Sequence, residues 1–350
     1  MPLESDLKLS SPKFSRDAIP DATAKLNEHL IKMMDGMPKW YEVGAERYRQ
    51  MRWNNETPLP RPPVLEAGMD STIASRGTGR TIPLRAFLPP GGKEKSKGTF
   101  LHIHGGGWVL QSERYQDGLL DFMAQKAGLS VVSVGYRLAP EDPFPAGVQD
   151  CQDAADYLVK NAEKEFGAPL SFMGGESAGA HLTVLTLLYL HTAHPTFSLT
   201  GGLALHFGAY DLSSFLPSVM NFKKPLIINN EIMTAYQNAF LPNTTIEQRK
   251  DPSISPLYAD WNTIAEEMKE KTGKGLPRAL FTIGTEDPLL DDSLCMCLKW
   301  LGAGGEGILR VYSGAPHGFI GFDEKLLVSA GEGMKDLETF LLHCLAEAGK

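Results

Sequence analysis

The chain has 350 residues, 42% of them apolar, enough for one large, well-buried domain or two smaller ones. A formal net charge of -8 without clustered Lys and Arg speaks against a nucleic-acid surface. The four cysteines, Cys151, Cys295, Cys297 and Cys344, are too few and wrongly spaced for a disulfide framework or a zinc knuckle and are read as thiols.

The first twenty residues, MPLESDLKLSSPKFSRDAIP, are charged and proline-broken where a secretory signal would be apolar. A cytoplasmic location follows as an expectation, with the sequons at Asn55 and Asn243 unused. Residues 18–52 carry a helical apolar rhythm through Leu26, Leu30, Met33, Met34, Trp40 and Tyr41, ended by the proline-rich stretch at 57–63. Two short strands, near 69–74 and 82–88, flank a Gly77-Thr-Gly79 turn and predict an antiparallel hairpin. From residue 98 the pattern alternates: strand TFLHIH, helix 115–127, strand LSVVSVGY, helix 148–162, strand LSFMGG, helix 178–190. GLALHF, ALFTIGT and ILRVYSG supply further strands, and 289–301 and 324–345 further helices. Continuous apolar strands alternating with helices predict an α/β fold with a mostly parallel sheet covered on both faces. The run LTVLTLLYL at 182–190 is far too short to span a bilayer and reads as a core helix. Between 207 and 279 the rhythm breaks for a segment too long to be an unstructured loop, and its apolar content predicts two or three helices of its own.

Gly175-Glu-Ser-Ala-Gly179 lies between a strand and a helix, where a serine on a strained turn needs small residues on either side. A bare G-x-S-x-G arises by chance in roughly one such sequence in five, so the strand-helix context carries the reading. Ser177 is the candidate nucleophile, and the free N–H of Ala178 at the helix start is one candidate oxyanion donor. Others come from Gly105, Gly106 and Gly107 in His104-Gly-Gly-Gly-Trp108, since glycine exposes backbone N–H groups with no Cβ in the way. That loop follows a strand placed two before the nucleophile strand in the sheet order. A serine needs a base and the base an orienting carboxylate, in the chain order Ser, acid, His. Asp287 after ALFTIGT and His317 after ILRVYSG stand at strand ends, where such sheets place their sites. Glu286 is the rival acid, while Asp291 and Asp292 are read as capping the next helix or facing solvent. The remaining histidines read as packed or exposed side chains, and no motif suggests a metal or another cofactor.

Together, His104-Gly-Gly-Gly-Trp108, Tyr136-Arg-Leu-Ala-Pro-Glu141 with Pro143-Phe-Pro145, Gly175-Glu-Ser-Ala-Gly179, Asp287-Pro-Leu and His317-Gly-Phe319 resemble the hormone-sensitive-lipase family of α/β-hydrolase carboxylesterases. The resemblance spans roughly residues 65–345. It implies an eight-stranded α/β-hydrolase sheet, a Ser177-His317-Asp287 triad, and oxyanion donors from Ala178 and two adjacent glycines, of which Gly106 is favoured with one neighbour. It also implies a helical cap made of residues 1–64 and 213–275 over a core of 65–212 and 276–350. Glu176 stands where many relatives carry Asp, and it and His104 are expected to support the site. Arg137 and Glu141 are expected to hold the neighbouring loop. Trp108, Tyr210, Phe215 and Phe319 are candidate pocket walls.

The expected reaction is hydrolysis of a small to medium hydrophobic ester through an acyl-enzyme. Two alternatives stand beside it: a specialised natural-product enzyme on the same triad (deacetylase, lactonase, acyltransferase or dehydratase), and a non-catalytic small-molecule receptor. The expected partner is a small-molecule ester; monomer and homodimer are both left open.

Overall fold

A computed structural model describes residues 11–349, so the reading of the first ten residues lies outside the described ones. The apolar runs form eight strands: β1 (Met69–Ala74), β2 (Thr81–Phe87), β3 (Thr99–Ile103), β4 (Ser130–Val134), β5 (Leu170–Glu176), β6 (Gly202–His206), β7 (Ala279–Glu286) and β8 (Gly307–Pro316). They make one sheet in the order β1-β2-β4-β3-β5-β6-β7-β8. β1 and β2 form the expected antiparallel hairpin, β2 is also antiparallel to β4, and all later neighbours are parallel.

One expectation is corrected here. β3 lies directly beside β5, so the HGGG strand precedes the strand that leads to Ser177 by two in the chain but by one in the sheet. The crossover from β3 places β4 on one side, and the helix Ala146–Phe166 then returns the chain to the other side. The order reverses at β3, which is where open α/β sheets form their crevice.

Alternation along the strands divides the core into two layers. Leu101, Ile103, Met173, Leu203, Leu205, Phe281 and Ile283 join a core with Leu158, Leu182 and Leu185 of the helices Ala146–Phe166 and Ala178–Ala193. Phe100, Phe172, Ala204 and Leu280 join a second core with Leu120 and Met123 of Asp117–Ala127 and Phe340 and Leu341 of Val328–Ala348. Burial on both faces is why these strands read as continuous apolar runs. The helix Ala178–Ala193 is buried nearly all round, with Thr183 and Thr186 returning their hydroxyls to the carbonyls four residues back. Among the described residues no helix is long and apolar enough to cross a membrane. The four cysteines are free thiols, and all but Cys295 are buried.

The N-terminal rhythm becomes the helices Asp21–Asp35, Trp40–Val43 and Ala45–Trp53, broken at Gly36 and again at Gly44, whose φ of +90° stops helix propagation. The long interval holds four helices, Pro217–Asn221, Asn230–Phe240, Ile246–Arg249 and Trp261–Thr272, plus a 3-10 turn at Pro256–Tyr258. Only two of the four exceed two turns, with Asn229 and Asp260 accepting backbone N–H groups at their starts. The last helix begins at Val328 rather than 324, because Asp323 closes a local turn onto the N–H groups of Lys325, Leu326 and Leu327.

Candidate active site

The turn after β5 explains the spacing of its glycines. A Cβ on Gly175 would stand 2.0 Å from the carbonyl oxygen of Ile103, and one on Gly179 would stand 1.9 Å from the same atom. Both glycines therefore let the turn press against the end of β3. Ser177 between them is held at φ 56°, ψ -119°, outside the usual L-residue regions, with its N–H donated to His206 O at 2.9 Å.

Two neighbouring strand ends meet this serine. The register of β7 and β8 shifts between Gly284 and Glu286, where Gly284 lies against Ala315 O, immediately before the loops that carry Asp287 and His317. His317 Nε2 lies 3.0 Å from Ser177 Oγ, and His317 Nδ1 lies 2.9 Å from Asp287 Oδ2. The other carboxylate oxygen of Asp287 accepts the N–H of Leu289 at 2.9 Å, which fixes the acid in its own turn. Phe207 packs edge-on against the imidazole, with centroids 4.9 Å apart. The rival Glu286 turns outward to Lys224 at 2.6 Å. Asp292 neither caps nor faces solvent: it is buried, and its Oδ1 accepts the N–H groups of Tyr210 and Asp211 at 2.6 and 2.9 Å. Asp291 accepts the N–H of Ser218. Both acids thus tie down the loops that follow β6.

Beside Ser177 lies the loop after β3. Gly106 and Gly107 have φ of +101° and +62°, and among the described residues the N–H groups of Gly105, Gly106 and Gly107 meet no protein acceptor. A Cβ on Gly105 would collide with Glu176 O at 2.7 Å and come within 3.5 Å of Ser177 Cβ, so the loop and the serine turn are in contact. His104 anchors the loop: its Nδ1–H donates to Gly105 O at 2.8 Å and its ring stacks on Tyr136 at 4.2 Å. Burial lowers its pKa to about 4, so it stays neutral. The Tyr136 hydroxyl donates to His104 O at 2.9 Å. Arg137 pairs with Asp150 through two nitrogens at 3.0 Å, and Glu141 accepts from Arg49 at 2.7 Å.

Beneath the serine turn, sheet register builds a polar row that the sequence alone did not reveal. Ser133, His102, Glu176, His206 and Thr282 occupy β4, β3, β5, β6 and β7 in turn on one face. His102 bridges Ser133 Oγ at 2.8 Å and the Glu176 carboxylate at 3.0 Å, and His206 bonds Thr282 Oγ1 at 2.8 Å. Burial opposes the charge on Glu176, yet the adjoining His102, with His206 and His104 behind it, holds the carboxyl below its ordinary pKa. Burial lowers His206 to about 4. The signal was present as polar residues closing apolar strands at the same end of the sheet.

Ser177, His317 and the three glycines open into a cavity of about 1200 Å³. Its other walls include the N-terminal helices (Leu30, Met33, Trp40, Tyr48), the prolines Pro58, Pro60, Pro62 and Pro63, the insertion (Ile228, Met233, Tyr236), and core residues such as Leu119, Phe122, Ile320 and Met334. Of the four expected wall residues only Trp108 lines it. Tyr210, Phe215 and Phe319 do not reach the lining and pack in the core, so all three are corrected to structural residues. Phe319 instead backs Phe207, 5.6 Å away, and Phe207 is the residue that reaches the cavity. Phe207 follows β6 directly, and nothing in its immediate sequence marks it as a wall.

A family model described as the alpha/beta hydrolase fold matches residues 100–321. The carboxylic ester hydrolase LipN of Mycobacterium tuberculosis (strain ATCC 25618 / H37Rv) is 29% identical over 308 residues, covering 86% of this chain and 76% of its own. Ethyl acetate hydrolase of Pseudomonas putida is 28% identical over 267 residues, covering 76% and 79%. Among solved structures, the ester-hydrolase EH1AB1 from the metagenome of Lake Arreo, complexed with a derivative of bipyridine phosphonate, superposes with a TM-score of 0.76 at 25% identity, covering 95% of this chain and 100% of its own. With more than half its length matched by that model, the chain belongs to the α/β-hydrolase family, among the hormone-sensitive-lipase-like members that its motifs resemble.

Proposed function

We propose that the chain is a serine carboxylesterase in which Ser177 attacks the ester carbonyl, His317 takes and returns the proton, and Asp287 orients the imidazole. The observation that carries this reading is the pair of contacts at the cavity floor, Ser177 Oγ to His317 Nε2 at 3.0 Å and His317 Nδ1 to Asp287 Oδ2 at 2.9 Å. In this mechanism the Ser177 hydroxyl proton passes to His317 Nε2 as Oγ bonds to carbon, and the carbonyl electrons collect on oxygen. The N–H groups of Ala178, Gly106 and one neighbouring glycine receive that oxyanion. Collapse expels the alcohol, protonated by His317, and water then releases the acid by the same steps in reverse order.

The N-terminal helices and the insertion act as a cap that selects the substrate. Their lining is largely apolar and aromatic, and of its four Lys and Arg side chains three are engaged by the protein: Arg49 by Val109 O and Glu141, Arg52 by Thr57 and Leu59 O, and Lys39 by Glu231, with Lys223 the fourth. The favoured substrate is therefore a neutral hydrophobic ester. A cavity of about 1200 Å³ accommodates one larger than the small to medium ester expected. The names of the curated relatives support the reaction class.

The test is Ser177→Ala on a series of p-nitrophenyl esters of increasing acyl length. Turnover is expected to fall by about a millionfold, and a serine-directed phosphonate should label the wild type at Ser177 and leave the variant unmodified. Full turnover in the variant would reject the mechanism. Product analysis with an added alcohol separates hydrolysis from acyl transfer.

A further inference from the structure

The loop proposed to receive the oxyanion has almost no side chains of its own, yet it runs through three successive positive-φ residues. Gly106 stands at +101°, Gly107 at +62° and Trp108 at +61°. Glycine adopts this region freely; tryptophan does not, and an outlier of this kind persists only where its surroundings enforce it. The surroundings of Trp108 are specific. Its indole is buried and lies parallel to Phe240, with centroids 4.9 Å apart and planes within 11°. Its carbonyl accepts the N–H of Ala139 at 2.9 Å. Its Nε1–H donates to Nδ1 of His181 at 3.1 Å, and Nε2 of His181 lies 2.7 Å from Ile254 O.

These two contacts fix the state of His181. An indole nitrogen only donates and a carbonyl only accepts, so Nδ1 must be bare and Nε2 must carry the proton. The ring is neutral with one defined tautomer, in keeping with its complete burial. His181 lies one turn along the helix that starts at Ala178, the residue whose N–H is the other proposed donor. The Trp108–His181 bond therefore joins the two elements that carry the two halves of the oxyanion site.

We propose that Trp108 and His181 are positioning residues that set the spacing between the glycine N–H groups and the N–H of Ala178. Neither touches the reacting atoms; they act through the backbone of the loop and of the helix. The proposal rests on the serine esterase reading, and Ser177→Ala tests that reading separately. A donor displaced from the developing oxyanion weakens transition-state stabilisation while leaving ground-state binding in place, so the effect belongs in kcat rather than KM.

The experiment compares Trp108→Phe, His181→Leu and His181→Gln with the wild type on one short-chain p-nitrophenyl ester. Trp108→Phe keeps an aromatic ring against Phe240 but removes the N–H. His181→Gln keeps one acceptor for the indole and one donor for Ile254 O. The expected result is a kcat reduced by about tenfold to a hundredfold in Trp108→Phe and His181→Leu, with KM within about twofold in the His181 variants and His181→Gln recovering most of the loss. Substrate affinity measured in the Ser177→Ala background should be the same with and without His181→Leu, whose side chain lies outside the cavity lining. A folded Trp108→Phe with wild-type kcat, or a loss confined to KM, overturns the proposal. Should His181→Leu fail to fold, Trp108→Phe and His181→Gln decide alone: a His181→Gln protein as slow as Trp108→Phe also overturns it. Activity in Ser177→Ala would instead reject the underlying reading.

Discussion

Ser177 occupies a backbone conformation that only a crowded turn enforces, and the crowding comes from a single oxygen. Ile103 O lies where the Cβ atoms of both Gly175 and Gly179 would fall. A backbone oxygen at the end of a central strand cannot move aside as a flexible side chain would. Gly179→Ala is therefore expected to cost on the order of 3 kcal/mol, at the upper end for overpacking, and to displace Ser177 and Ala178 from the loop after β3. Esterase activity should fall by about a hundredfold, the usual scale for a misplaced reacting group. Chemical denaturation and turnover of the purified variant check both parts; wild-type stability would show that the turn is looser than its contacts imply. The motif itself was legible because its requirement for small residues is local. Tyr210 and Phe319 were misjudged for the opposite reason, since proximity in sequence to a motif does not say which way a side chain points, and Phe215 because a place in the insertion does not say so either.

At the scale of elements, helices as well as neighbouring loops hold the loops at the sheet's carboxyl end. Asp292, in the first turn of Leu290–Gly302, accepts the N–H groups of Tyr210 and Asp211 through Oδ1, while Oδ2 has no partner among the described residues. Burial raises its pKa to about 7, against the lowering effect of those two N–H groups. A carboxyl raised in the fold stabilises most below its unfolded value, near 4, and loses that contribution as pH rises through about 7. Asp292→Asn keeps the acceptor and removes the charge. Its melting temperature should exceed that of the wild type at pH 8, with the advantage gone by pH 5. Equal melting curves at both pH values would show that Asp292 is charged at no cost. The sequence located the helix but not this bond, because its partner lies eighty residues earlier and meets it only across the sheet.

For the whole molecule, three histidines dominate the response to acid. His104, His181 and His206 are completely buried, and burial lowers each to about 4. A depressed histidine stabilises the fold above its unfolded pKa of about 6.5 and loses that contribution as pH falls through about 4. Asp292 works in the opposite sense over the same window, while Glu176, held down, and Glu113, pushed up by burial, oppose each other. Three protons against one leave a net uptake of about two on unfolding. The free energy of unfolding should therefore rise from pH 4 to pH 6.5. Denaturant titrations across that range test the sign, and a flat or falling profile would mean that at least two of the three rings are protonated in the fold.

Strand and helix order, the Ser177 turn, the glycine loop and the acid and histidine at strand ends are written in the sequence, because each depends on residues within a few positions of one another. Hydrophobic periodicity marks buried strands wherever they lie, and a turn's need for glycine is met on the spot. Tertiary structure alone decided that β3 lies against β5, that five polar residues on five strands form one row beneath Ser177, and that Trp108 is tied to His181. It also decided which aromatic residues wall the cavity, with Phe207 inside and Phe319 behind it. These are long-range pairings set by register and crossover, and no local pattern in a single chain encodes which distant residue will complete them.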